Sequence, residues 1–389
     1  MSHEFPYRGL KVLDLGQGVA SPYCGMLLAL YGADVVKIEP PSGDWARNLG
    51  GKYDGGRQSA MSLTFNRGKR SLMLDLKTPA ARAVLRRMAE EADVLIEGFR
   101  PGVAAKLGVG YDSLKGVNPK LIMVSISGFG QTGPYSQRPV TDTAAQAFAG
   151  FVDANRGPDN VPHRAPILIC DVATGLYAYQ SVATALYARR DVGVGRWIDV
   201  SLMASGAAFM GHRSPEAMLE PGPLMSPNVP AGGYQTRDGW VMVALVTEAH
   251  FVHWCAAMRR PDLPSDPRFA SFPQRAQHEA ALLEIVRDTM RTETSAVWLD
   301  RLRAADVICD PVTSLRDWYA DPHVQAVGAA SVLDQPGLGA FHVPRTPGAM
   351  AATEAALTPA PRNGQHSDAI LAEGGWSDAE IAMLLGDAA

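Results

Sequence analysis

Cysteine is scarce in this 389-residue chain, and the four present, Cys24, Cys170, Cys255 and Cys309, stand far apart with no CxxC among them. That spacing offers neither a zinc cage nor a disulfide framework, and it fits a reducing, cytoplasmic setting. An excess of one charge is missing too: 36 Lys and Arg face 40 Asp and Glu, a formal net charge of -4. No global basic field is there to gather nucleic acid or an anionic membrane, so a phosphate-bearing ligand must rely on a few local cations. The opening "MSHEFPYRGLKVLDLG" lacks the basic stretch and long apolar core of a secretion signal. Residues 172 to 189 come closest to a membrane span, but Thr174, Gln180, Ser181, Thr184 and the tyrosines 177, 179 and 187 interrupt them. A buried helix of a soluble protein is the expectation there, not a membrane segment. The nine histidines form no HExxH or other metal-ligand pattern, and no G-x-S-x-G elbow or internal repeat occurs.

What is present is an alternation of short aliphatic runs and helix-length segments. "GLKVLDLG", "SPYCGMLLALYG" and "ADVVKIEP" make a β-α-β unit, and "RSLMLDLK", "TPAARAVLRRMAEEA", "DVLIEGF" and "KLIMVSIS" repeat the pattern. Such alternation predicts an α/β fold with a parallel sheet covered on both faces. Two long helices are expected over 171–190 and 199–212, the first capped by Asp171 and the second opened by Asp199 or Ser201. Five prolines between residues 213 and 232 mark a linker, after which "GGYQTRDGWVMVALV" predicts a hairpin turning at 237–239, followed by three amphipathic helices. Short strands near 329–343 and two helices close the chain, with Ser377 and Glu380 as a capping box.

Two features carry chemistry. "GFGQTG" at 128–133 matches G-x-G-x-x-G after a strand, but Pro134 and Pro139 forbid the helix that would hold a pyrophosphate. It predicts a glycine loop where backbone meets a ligand closely. Asp171, at the start of the apolar stretch "PILICDVATGLYAYQSVATALYARR", has two readings. As a helix N-cap it accepts an amide hydrogen bond, worth about 1 kcal/mol. As a carboxylate kept ionised by the helix N-terminus in dry surroundings, it is a nucleophile for an activated carbonyl.

Several phrases together resemble one family, the family III CoA-transferases, also called the CaiB/BaiF or formyl-CoA transferase family. They are "VLDLGQGVASP", "LYGADVVKIEPPSGD", "NRGKRSLMLDLKTP", "ADVLIEGFRPGVAAKLGVGYDSL", "NPKLIMVSISGFGQTGPY", "DTAAQAFAG", "CDVATGLYAYQSVATALYAR" and "GVGRWIDVSLMAS". The likeness is dense over the first 205 residues and thinner to the C-terminus. It implies a Rossmann-like large domain whose parallel sheet is built from both chain ends, residues 1–220 and 329–389. A smaller α+β domain over 221–328 and an interlocked homodimer complete the expectation. The implied activity is transfer of CoA from an acyl-CoA donor to a free carboxylic acid, with CoA or acyl-CoA as substrate and no tightly bound cofactor. No metal, nucleic-acid or membrane partner is implied.

By the same resemblance Asp171 is the catalytic nucleophile. Val19, Ala20, Leu74, Lys77, Gly98, Phe99, Arg100, Lys106 and Asp142 are the CoA-binding positions. Pro40 stands where the family commonly has arginine and Gly98 where asparagine is common, with Arg47, Arg67 and Arg100 as candidate replacement cations. The segment 221–233 stands where the family carries a glycine-rich closing flap. Loops around 40–60 and 130–142, together with that segment, are expected to form the acyl pocket, with Trp45, Tyr135, Arg138 and Met225. An α-methylacyl-CoA racemase uses the same fold with a His-Asp pair; here the pair is Thr141-Asp142, and threonine carries no proton near neutral pH. A non-catalytic acyl-CoA-binding relative is the other alternative.

Overall fold

The computed structural model describes residues 3–157, 160–220, 222, 226, 228–350 and 358–386. The chain divides into two compact units, one of residues 1–214 with 326–389 and one of residues 215–325.

In the first unit the strands are β1 (Lys11–Asp14), β2 (Asp34–Glu39), β3 (Lys52–Tyr53), β4 (Gln58–Ser59), β5 (Arg70–Met73), β6 (Val94–Glu97), β7 (Ile122–Ser127) and β8 (Trp197–Ser201). Six of them form one parallel sheet in the order β5-β2-β1-β6-β7-β8. Alternate residues of each strand face opposite sides, which sorts the core into two layers. Val12, Val35, Ile96 and Val124 pack with Leu28 of helix Ala20–Leu30 and Ala178 and Val182 of helix Ile169–Val192. Leu13, Val36, Leu95 and Met123 pack with Val84 and Leu85 of helix Pro79–Ala89 and with Ile370, Leu371 and Ile381. Burial on both faces explains why β6 and β7 read as near-continuous apolar runs.

The last three of those side chains belong to helices Ser367–Glu373 and Asp378–Leu385. The sheet therefore does not draw on both chain ends, and that expectation is corrected: every strand of it lies between residues 11 and 201. The C-terminal return contributes helices, because its apolar residues recur at helical spacing, and a separate antiparallel pair, β12 (Ala330–Gln335) with β13 (Gly339–Pro344). The second unit holds an antiparallel sheet of β9 (Gly232–Gln235), β10 (Trp240–Ala244) and β11 (Ile308–Pro311), backed by helices whose Trp254 and Trp298 are buried. Among the described residues, no helix is long and apolar enough to cross a membrane.

Candidate active site

The strand order places β1 between β2 and β6, so successive connections diverge from β1 to opposite sides. A crevice at the carboxyl ends of the strands is where such a sheet binds ligands. The loop leaving β1 there is Gly16-Gln17-Gly18-Val19, and its backbone lies tight against its neighbours. A Cβ on Gly16 would stand 2.0 Å from that of Ser21. Gly18 has φ +82°, and a Cβ on it would meet the Trp45 ring at 2.4 Å. Both positions thus require glycine.

Beneath that loop lies a buried network of three carboxylates and three cations. Asp14 accepts from Lys69 Nζ at 2.8 Å and from Gly16 N–H at 2.9 Å. Lys37 pairs with Asp44 at 3.0 Å and donates to the Gly16 carbonyl. Asp44 Oδ1 accepts from Gly18 N–H at 2.9 Å, and Arg47 grips both oxygens of Glu39 at 2.8 and 2.7 Å. Burial alone would lower the Lys37 ammonium, but Asp44, Asp14 and Glu39 raise it above its ordinary value. Burial likewise favours the neutral Glu39, yet Arg47 and Lys37 draw its carboxyl down to about 2. Folding thus spends its ionic pairs on fixing the loop after β1.

Helix Ile169–Val192 runs antiparallel to the strands. Near its end Arg189 donates to Asp93 Oδ1 at 2.6 Å and to the Lys120 carbonyl at 2.9 Å, residues that precede β6 and β7. Its C-terminus is therefore at the amino edge of the sheet and its N-terminus at the carboxyl edge. There Gly175 lies against helix Ala20–Leu30, where an added Cβ would stand 2.8 Å from the Ala20 carbonyl oxygen. Asp171 sits one turn earlier, on the third residue of the helix.

The expected N-cap role of Asp171 is corrected by this geometry. The cap position is Leu168, with no side-chain hydrogen bond. The Asp171 N–H is instead accepted by Asp142 Oδ1 at 3.0 Å. Asp142 is buried, 4% exposed, at the start of helix Asp142–Phe148, and its Oδ2 accepts from Gln146 Nε2 at 2.6 Å. Gln146 also bonds both Ala165 and Ile167, which leads the chain into the helix. Burial first, and the Asp142 charge second, push the half-buried Asp171 carboxyl up to about 7. The notion that the helix N-terminus keeps it ionised is likewise corrected: that field is worth about 0.3–1 kcal/mol, too little to offset burial beside another carboxylate. A carboxyl poised near neutrality in a crevice is a mark of a working group.

A family model for CoA-transferase family III matches residues 7–367. The chain belongs to that family. It is 33% identical to a succinate–glutarate CoA-transferase of Agrobacterium fabrum over 95% of each chain. It is also 33% identical to a succinyl-CoA–D-citramalate CoA-transferase of Chloroflexus aurantiacus, covering 99% of this chain and 98% of that one. Among solved structures, a CaiB/BaiF family protein from Brucella suis matches with TM-score 0.83 at 32% identity, over 96% of this chain and 100% of the other.

In this CoA-transferase the positions named for CoA fall into three groups. Val19, Ala20 and Leu74 are buried and offer little surface. Gly98 and half-buried Phe99 follow β6; a Cβ on Gly98 would come 2.9 Å from Ser21 Oγ, which brings this turn against the loop after β1. Phe99 N–H donates to Glu97 at 2.7 Å. Lys77, Arg100 and Lys106 are exposed. Asp142 stands apart from them in being buried, with its carboxylate accepting from the Asp171 N–H and from Gln146 Nε2.

Arg47 cannot substitute for an arginine at Pro40. Its guanidinium is 5% exposed and committed to Glu39, Gln58 and the Pro361 carbonyl. The flap expectation falls partly outside the described residues, which omit 221, 223–225 and 227, and Met225 with them. Sequence reasoning missed the ion network and the Asp142–Asp171 bond. The one local signal was Lys37 and Glu39 inside the buried strand "VVKIE", where an apolar residue is expected.

Proposed function

We propose that this enzyme moves CoA from an acyl-CoA to a free carboxylic acid through covalent intermediates on Asp171. The observation that carries the reading is the Asp171 carboxyl itself, half-buried at the carboxyl edge of the sheet and poised near pH 7 by burial and Asp142. A carboxylate oxygen of Asp171 attacks the thioester carbonyl; the C–O bond forms, the C–S bond breaks, and CoA departs as thiolate. The thiolate then attacks the aspartyl carbonyl, releasing the donor acid and leaving an aspartyl-CoA thioester. The second acid displaces CoA from it as a new anhydride, and the thiolate finally attacks that acid's carbonyl, freeing Asp171. Every step exchanges one activated acyl bond for another, so no ATP is consumed.

The acids named for the two relatives, glutarate and D-citramalate, support short dicarboxylic acids as the substrate class. A second copy of the chain completes the assembly in this reading. Helix Leu202–Phe209 supports it, since it has no charged residue yet exposes Ala204, Ala207, Ala208 and Phe209. A dimer mass by light scattering is the check.

Incubation with succinyl-CoA followed by hydroxylamine is expected to leave a hydroxamate on Asp171, absent from Asp171→Ala. No CoA exchange across a broad panel of carboxylic acids overturns the proposal. Asp142→Asn supplies a sharper result. It keeps an oxygen for the Asp171 N–H but removes the second cause of the raised carboxyl, so the acid limb of the pH–rate profile shifts below pH 7. An unmoved limb means the Asp142 charge does not reach Asp171.

A further inference from the structure

Resting on that reading, we infer that Gln146 is a positioning residue for the reaction: it holds the Asp142 carboxylate where that group fastens the Asp171 backbone. Asp142 and Gln146 stand four apart in helix Asp142–Phe148, so they share one face of it. Gln146 is 0% exposed, which leaves it no surface to offer a substrate and only an indirect part to play.

Four partners surround its amide. Nε2 donates to Asp142 Oδ2 at 2.6 Å, and also bonds the Ile167 carbonyl at 2.9 Å and the Ala165 carbonyl at 3.2 Å. Oε1 accepts from the Ala165 N–H at 3.0 Å. Turning the amide over would set Oε1 against three oxygens and Nε2 against an N–H, so one orientation alone satisfies every contact. A lysine has no acceptor for this place, and a glutamate lacks the two donors.

The grip matters because of what lies at its far end. Helix Ile169–Val192 begins after Leu168, whose side chain makes no capping bond. The Asp171 N–H, in the first turn, is among the donors that such an end leaves open, and Asp142 Oδ1 takes it at 3.0 Å. A carboxylate turns about its last bond unless its other oxygen is held, and Gln146 holds it. Ala165 and Ile167 belong to the segment that enters the same helix. One buried amide therefore ties both the group that fastens Asp171 and the chain that leads to it. A Gln–Asp pair that merely reinforced its own helix would need none of the three bonds to residues 165 and 167.

Steady-state kinetics of the full chain with succinyl-CoA and glutarate test this. Gln146→Met keeps the length of the side chain and loses every donor and acceptor. It is expected to lower kcat about 100-fold, the cost of a misplacement of about 1 Å, with KM for succinyl-CoA unchanged. In an Asp142→Ala background the same substitution should cost about tenfold or less, since its target is gone. Equal losses in the two backgrounds would mean that Gln146 only holds the fold together, and overturn the proposal. An unchanged kcat, or a raised KM with kcat kept, overturns it too. If melting shows Gln146→Met unfolded, Gln146→Glu is read in its place, because it keeps the volume and an oxygen for the Ala165 N–H; kcat should fall and KM hold, and the same results overturn the proposal. A wild type without CoA exchange, or an Asp171→Ala variant that retains it, overturns the Asp171 reading as well, whereas the preceding outcomes overturn only the role of Gln146.

Discussion

Asp171→Asn is expected to cut CoA transfer by about 10⁴-fold or more, the scale on which losing a covalent nucleophile is felt, and at the same time to make the protein more heat-stable above pH 7. The sign follows from the carboxyl's upward shift, from 3.8 to about 7. The folded chain holds that proton more tightly than the unfolded one. The stabilisation this brings is complete below about pH 4 and is lost as pH rises through 7. Asparagine never ionises and escapes the loss. Melting temperatures of the two proteins should coincide near pH 4 and separate progressively to pH 8, with the variant higher. Parallel curves across that range would show that ionising Asp171 costs the folded state nothing. In the proposed mechanism activity needs the ionised form that folding disfavours, so on that reading the site trades stability for function.

The sheet was legible in the sequence because both of its faces are buried. Runs such as "DVLIEG" and "KLIMVSIS" separated by helix-length segments have few other solutions. The two C-terminal helices were legible for a similar reason, with Ser377 and Glu380 forming the capping box that their spacing predicts. Strand membership at the C-terminus was not, since sheet order is a property of pairing across hundreds of residues. Asp171 illustrates the same limit at one residue. An aspartate heading an apolar run looks alike as a cap or as the third residue of a helix. Only the arrival of Asp142, 29 positions earlier, distinguishes them, by supplying the cap from elsewhere. That bond sets the buried Asp142 carboxylate beside Asp171, whereas Lys77, Arg100 and Lys106 are exposed.

Lys37→Met should be the most destabilising single change near the site, by about 3–5 kcal/mol in urea unfolding, the cost of leaving a buried charge without its partner. Lys37 and Asp44 are both fully buried, and Asp44 Oδ2 has no hydrogen-bond partner, only the Lys37 ammonium at 3.0 Å. Methionine fills similar volume but strands that oxygen and frees the Gly16 carbonyl. Asp44 also accepts from Gly18 N–H, so the loop after β1 loses order where CoA is proposed to bind. Two consequences can therefore be separated. The double variant Lys37→Met with Asp44→Leu removes both charges of this pair, and well-packed apolar substitutes for a buried pair are often neutral. It should recover much of the lost stability, while CoA affinity stays low because Gly18 no longer has an acceptor. Full recovery of both stability and CoA binding would mean that the ion pair holds the core together without positioning the loop. A single variant costing under about 1 kcal/mol, the scale of an exposed pair, would mean the carboxylates share their remaining cations freely.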